Sequence, residues 1–267
     1  MAKRDVVLLK GILIVFTILL FFSLTKAIEP NGATVNATRT ETANASNAGS
    51  HQAQAGNITQ LNIFAYSTTQ SWQGYFGNVS GTIQLADAQD KVLYNWTLAE
   101  PQGEVYASTN SSISWTNIQC LNFTATGAYS GTETPGGINL YGTNLTTLET
   151  SFGINSSDVD GIDETFTLQH GGVGEHDAFY TANRQFDEGE CISTRVYSSS
   201  GTGETNKFEE VLLYEPTTAS IIFTSIIEPG TVAGFDGQDY DFEMLVLENG
   251  HGTDIETTPY YFFVELE

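Results

Sequence analysis

The 267-residue chain is predicted to be all-β: a single antiparallel β-sandwich, immunoglobulin-like or jelly-roll-like, behind an N-terminal hydrophobic leader. Three observations predict this. Short runs of alternating apolar and polar residues recur from about Leu61 to the end, turn chemistry such as Gly201-Thr202-Gly203 and Asn249-Gly250 separates them, and helical periodicity is scarce.

The leader comes first. Lys3, Arg4 and Lys10 precede residues 11–24, an apolar run broken only by Thr17 and Ser23, and Thr25-Lys26-Ala27 supplies small residues for cleavage. This order predicts a signal peptide over 1–27. The alternative is an uncleaved transmembrane helix over 6–24, which is short against the twenty or so apolar residues a span needs. Basic residues before the run place the remainder outside the cell in both cases.

Residues 28–58 are mostly Ala, Thr, Asn, Ser and Gly, and are predicted to be a flexible spacer because they cannot bury enough apolar surface to offset their ordering entropy. A strand donated to a neighbouring subunit needs large apolar residues at every second position, and 28–56 offers only Ile28 and Val35. The β domain is placed at 59–267. Leu61, Ile63 and Ala65 alternate. A hairpin is predicted over 79–98, turning at Asp87-Ala88-Gln89-Asp90, with Val92, Tyr94, Trp96 and Leu98 on one face and Asn95 on the other. Strands follow at 112–126, around Phe166 and Leu168, at 191–197, at 242–247 and at 259–266. Residues 219–227 (ASIIFTSII) suggest a strand covered on both faces. Periodicity leaves Val211-Leu212-Leu213-Tyr214 open between strand and helix.

Beyond Ala27 there are five basic against thirty-one acidic residues, a net charge of −26. Such a surface repels nucleic acid and anionic lipid headgroups, so nucleic-acid partners are excluded. Cys120 and Cys191, the two cysteines, are expected to form a disulfide in an exported chain. Nine N-x-S/T sequons begin at Asn36, Asn44, Asn57, Asn78, Asn95, Asn110, Asn122, Asn144 and Asn155, which predicts a glycoprotein.

Asp158, Asp160, Asp163 and Glu164 alternate around Gly161, a hard-oxygen pattern suited to Ca²⁺, though without a full EF-hand loop. No other cofactor is expected. His170, Glu175, His176 and Asp177 lack helical zinc-site spacing and read as a surface loop. Catalytic signatures are missing: no C-x-x-C, no G-x-S-x-G and no phosphate-cradling glycine loop occurs. Trp96 and Trp115 fall on apolar parity and are expected in the core, whereas Trp72, beside Gly74, is free to be exposed.

GNITQLNI (56–63), WQGYFGNVSG (72–81), LYNW (93–96), FEEVLLYE (208–215), GFDGQDYDFEMLV (234–246) and TTPYYFFVELE (257–267) resemble a group of archaeal exported proteins with a leader, a spacer and one β-rich domain. The resemblance implies a cell-surface location and carries over no catalytic residue. The expected role is therefore that of an exported, N-glycosylated, non-enzymatic structural or adhesive protein, a coat, filament or contact component. Its partners would be copies of itself or other surface components, engaged through sheet edges, with the membrane touched only by the N-terminal segment. A glycan-binding module is the alternative, and a Ca²⁺-dependent hydrolase stands third.

Overall fold

A computed structural model describes residues 29–123, 141–168, 175–250 and 257–267. The fold is mostly β, and every ladder is antiparallel. The largest sheet runs β1 (Asn31–Gly32), β15 (Tyr261–Leu266), β5 (Gly103–Ser108), β11 (Ser220–Ile226), β10 (Glu209–Glu215), β6 (Gln119–Cys120), and β9 (Ser193–Arg195) also pairs with β10. Residues 211–214 thus resolve as strand. The β10–β11 hairpin closes because the Glu215 carboxylate accepts the Thr217 N–H (2.7 Å) and the Thr218 N–H (2.9 Å), which holds a turn that ends with Ala219 at φ 56°.

This sheet is covered on both faces, the condition under which a strand becomes apolar throughout. Val105, Ala107, Leu212, Tyr214 and Phe223 point into one cluster, shared with Met244, Val246, Leu148, Ile162 and Phe166. The opposite parity (Tyr106, Val211, Leu213, Ile222) enters a second cluster with Trp115, Ile118, Phe179, Phe186 and both cysteines.

The first cluster is roofed by β14 (Phe242–Leu247), paired with β2 (Trp72–Gly77). β14 is tied down by Ser225 Oγ donating to the Glu243 carbonyl (2.9 Å) and by the Leu245 N–H donating to Glu210 (2.8 Å). Among the described residues β2 has no strand on its other side. Two short helices, α1 (Leu145–Ser151) and α2 (Ile162–Thr165), complete this side. Asn144 caps α1, accepting the Thr147 N–H. Pairs β7 (Phe179–Thr181)/β8 (Arg184–Phe186) and β12 (Val232–Ala233)/β13 (Asp239–Tyr240) form small separate ribbons.

The predicted hairpin is present as β3 (Thr82–Ala86) and β4 (Val92–Thr97). Ile83 faces Trp96 and Gln84 faces Asn95, in the anticipated parity. Asp87 Oδ1 accepts the N–H groups of Gln89 and Lys91, each at 2.9 Å, and sets the turn. The ribbon is not half-buried, however. All of β4 is exposed, Trp96 included at 51 %. Core placement of Trp96 is corrected: parity gives the face, but no layer covers it among the described residues.

Other expectations change as well. Residues 61–65 form no strand and lie exposed. In place of the strand expected over 112–126, residues 112–123 hold a 3-10 turn (Trp115–Asn117) followed by the two residues of β6; 124–126 lie outside the described residues. Phe166 ends a helix, and Leu168 makes a single bridge to Ser193. The transmembrane-helix expectation is corrected too. Among the described residues no helix is long and apolar enough to cross a membrane; the α-helices have seven and four residues, against the twenty or so a span requires. The leader at 1–27 and the 6–24 segment lie outside the described residues.

Candidate functional site

Eight glutamates are buried among the described residues: Glu104, Glu149, Glu209, Glu210, Glu215, Glu228, Glu243 and Glu265. Buried carboxylates need partners, and this chain is poor in Lys and Arg. Backbone N–H groups stand in. Glu209 accepts from Asp177 (2.6 Å) and Asn206 (3.0 Å), Glu243 from Phe235 (2.8 Å), Glu265 from Ala182 (2.9 Å) and Glu228 from Phe208. These donors sit in irregular segments, so Glu209, Glu243 and Glu265 each pin a loop to a strand, and Glu228, just past β11, ties Phe208 to that strand's end. Arg195 adds one ion pair, its Nε lying 3.5 Å from Glu209.

The densest group joins β5 to β15. Glu104 and Glu265 are direct cross-strand partners, and the Tyr106 hydroxyl lies 3.3 Å from one and 3.2 Å from the other, with Thr181 Oγ1 at 3.2 Å. Burial, then the facing Glu265 charge, pushes Glu104 up to about 9. Burial lifts Glu265, Glu228 and Glu243 to about 7 and raises Glu210 well above the usual carboxylate range. Two opposed carboxyls are what a glycosidase uses, but this pair is sealed at 2 % and 4 % exposure, out of a substrate's reach. Sequence reading missed these acids, although Glu104, Glu210 and Glu265 each share parity with apolar neighbours.

The disulfide between Cys120 and Cys191 is formed. His176 is not on the surface. It is fully buried, its Nε2 accepting the Cys191 N–H (2.9 Å) while Nδ1 lies 2.8 Å from the Asp177 carbonyl. That fixes the Nδ1–H tautomer, and burial lowers its proton affinity. His170 lies outside the described residues. Trp72 donates through Nε1 to the Asp160 carbonyl (2.7 Å) and packs on Phe166, so it is not a free sugar platform.

Among the sequons, Asn36, Asn44, Asn57, Asn78, Asn95, Asn144 and Asn155 are exposed, and Asn110 and Asn122 are half-buried. Asn110 differs in its amide, whose Nδ2 donates to Thr218 Oγ1 (3.0 Å) and Ser220 Oγ (2.9 Å). Glycosylation consumes that nitrogen. Peptide mapping of the native protein should therefore find Asn110 unmodified while Asn78 and Asn95 carry sugar; equal occupancy at Asn110 would contradict the engaged amide.

Of the acids proposed for Ca²⁺, Asp163 and Glu164 come together on α2. Asp158 instead accepts the Asn155 N–H (2.8 Å), and the Asp160 side chain bonds Thr69. An open depression of about 410 Å³ is lined by Asn110, Phe152, Thr218, Ser220, Phe223 and Tyr260 among others, with no acid, imidazole or thiol. A second accessible feature is apolar. Ile58, Leu61, Ile63, Phe64 and Tyr66 are exposed in one unpaired stretch, and Leu85, Tyr94 and Trp96 on the hairpin. No family model matches the chain, and no curated protein or solved structure matches it.

Proposed function

We propose that this chain is an exported, N-glycosylated structural component of the cell surface that assembles with copies of itself by strand addition. Its core is read as a β-sandwich whose β2–β14 layer is completed by a strand from a neighbour. The observation that carries this reading is the pairing of an orphan segment with an open edge. Residues 57–66 (NITQLNIFAY) hold Ile58 at 102 %, Ile63 at 86 % and Phe64 at 87 % exposure, in a stretch with no strand assignment. Among the described residues β2 leaves one edge unpaired, and Tyr75, Phe262, Val264 and Leu266 are only partly covered where they pack against the first cluster. An unpaired edge beside half-buried aromatics templates another strand, and alternating Leu61, Ile63 and Ala65 supplies side chains at the required period.

The donor segment lies just C-terminal to the stretch first considered, which explains why 28–56 lacked the pattern. The buried acids pin loops to the sheet, a structural use of their charge. The test is assembly of the purified exported chain, followed by electron microscopy and sedimentation. Wild type is expected to form polymers with concentration, the deletion of 57–66 to remain monomeric and folded, and a synthetic 57–66 peptide to bind the deletion variant. Unimpaired polymerisation of the deletion variant would refute strand addition; a wild type that stays monomeric at all concentrations would refute self-assembly.

A further inference from the structure

A second chemistry is built where α1 meets α2. Glu149 of α1 and Asp163 and Glu164 of α2 bring carboxylate oxygens within 4.8 Å of one another. Acidic residues on a surface commonly cluster without purpose, but Glu149 is not on the surface. It is 3 % exposed, and its Oε1 has no hydrogen-bond partner. An unpartnered buried carboxylate oxygen is destabilising unless something positive meets it.

No basic side chain does so. Among the described residues the ion pairs of Lys and Arg all lie elsewhere. The Glu149 carboxylate accepts a hydrogen bond from the Ile162 N–H, which still leaves Oε1 unmet. The same point is kept clear by Gly161. A Cβ there would overlap Glu164 Oε2 and stand 3.1 Å from Glu149 Oε1 and 3.4 Å from the Asp158 carbonyl oxygen. Three oxygens from three parts of the chain thus converge on a place that a methyl group would fill.

We propose that this cradle binds one Ca²⁺ ion, held by the carboxylates of Glu149, Asp163 and Glu164 and by the Asp158 carbonyl, with water completing the shell. Ca²⁺ accepts six to eight oxygens in irregular geometry, whereas Mg²⁺ demands a near-ideal octahedron that this partly exposed set does not preform. Asp160, although in the same acidic run, is not a ligand, because its side chain is committed to Thr69.

The experiment is calorimetric titration of CaCl₂ into the chelator-treated full chain at neutral pH. One equivalent should bind with Kd of about 0.1–1 mM, the range of extracellular sites, and MgCl₂ should bind at least about tenfold more weakly. Glu149→Gln is expected to weaken Ca²⁺ by tenfold or more. Gly161→Ala keeps every carboxylate but fills the cradle, and should weaken it similarly. Asp160→Asn should bind as wild type does. Tb³⁺ luminescence sensitised by Trp72, displaced by Ca²⁺, gives a readout in unmutated protein. Absence of saturable binding to wild type, meaning that the carboxyls share protons instead, would overturn the proposal. So would equal loss in Asp160→Asn, which would indicate only diffuse attraction to an acidic surface.

Discussion

Thermal stability should be highest in mildly acidic solution and should fall steeply as pH rises through 7 towards 9. Glu104 is raised from 4.5 to about 9, and Glu228, Glu243 and Glu265 from 4.5 to about 7. In the unfolded chain these groups release their protons near 4.5; in the folded chain they hold them. Between those values the folded state binds more protons, so stability declines with rising pH. Each tenfold difference in proton affinity is worth about 1.4 kcal/mol. Glu104 alone is expected to remove on the order of 5 kcal/mol between pH 5 and 9, a fall of roughly 10–20 °C in Tm for a domain of this size, and the other three groups add to that loss. Mutual repulsion of the acidic surface acts in the same direction.

Two exposed groups act oppositely. Glu204, lowered to about 2 by Lys207, and Asp236, lowered by the Gln238 N–H and Arg39, stabilise only above their unfolded values, so their contribution disappears in stronger acid. The measurement is Tm by circular dichroism from pH 2 to 9. Glu104→Gln should cost about 1 kcal/mol at pH 4, the scale of one hydrogen bond, yet be more stable than wild type at pH 9. A flat profile, or one rising towards pH 9, would show that the carboxylates ionise inside the fold without penalty.

Replacing both cysteines with alanine should lower stability by roughly 4 kcal/mol, the loop-closure value for a separation of 71 residues. At about 2–4 °C per kcal/mol this is a loss near 10 °C. The bond joins β6, a two-residue strand at the sheet margin, to the segment after β8 that His176 braces through the Cys191 N–H. Both residues are buried, Cys191 completely. Reductant should therefore act slowly on native protein and rapidly in denaturant. Hydrogen exchange should show the double variant opening first around 176–192. Unchanged Tm, or exchange that rises evenly over the chain, would remove the disulfide from its role as the anchor of that segment.

Much of the fold was legible because its signals are local. The hairpin at 82–97 follows from alternation and from an aspartate able to accept two N–H groups in the turn. The buried strand at 220–226 follows from an apolar run, and the disulfide from a single pair of cysteines. Other signals needed a third dimension. Ile63 and Trp96 carry the same alternation as Val105 and Leu212, yet stand in solvent, since periodicity identifies a face and says nothing of what covers it. His176 looked like a loop residue because its neighbours are glycine and acid; only the approach of Cys191 makes it core. Glu149 is separated by a loop from Asp163 and Glu164, so three of the cradle's four ligands were readable in the acidic run and the buried one, Glu149, was hidden in another helix.

The amino-acid sequence by itself determined the β class, the antiparallel pairing chemistry, the cysteine pair and the acidic balance, each of which depends on residue type and near-neighbour spacing. Tertiary structure alone decided which carboxylates are sealed, which strand edge stays open and which apolar residues remain bare. Burial and partnership are set by distant segments meeting, and a buried glutamate differs from an exposed one only in what other parts of the chain bring to it.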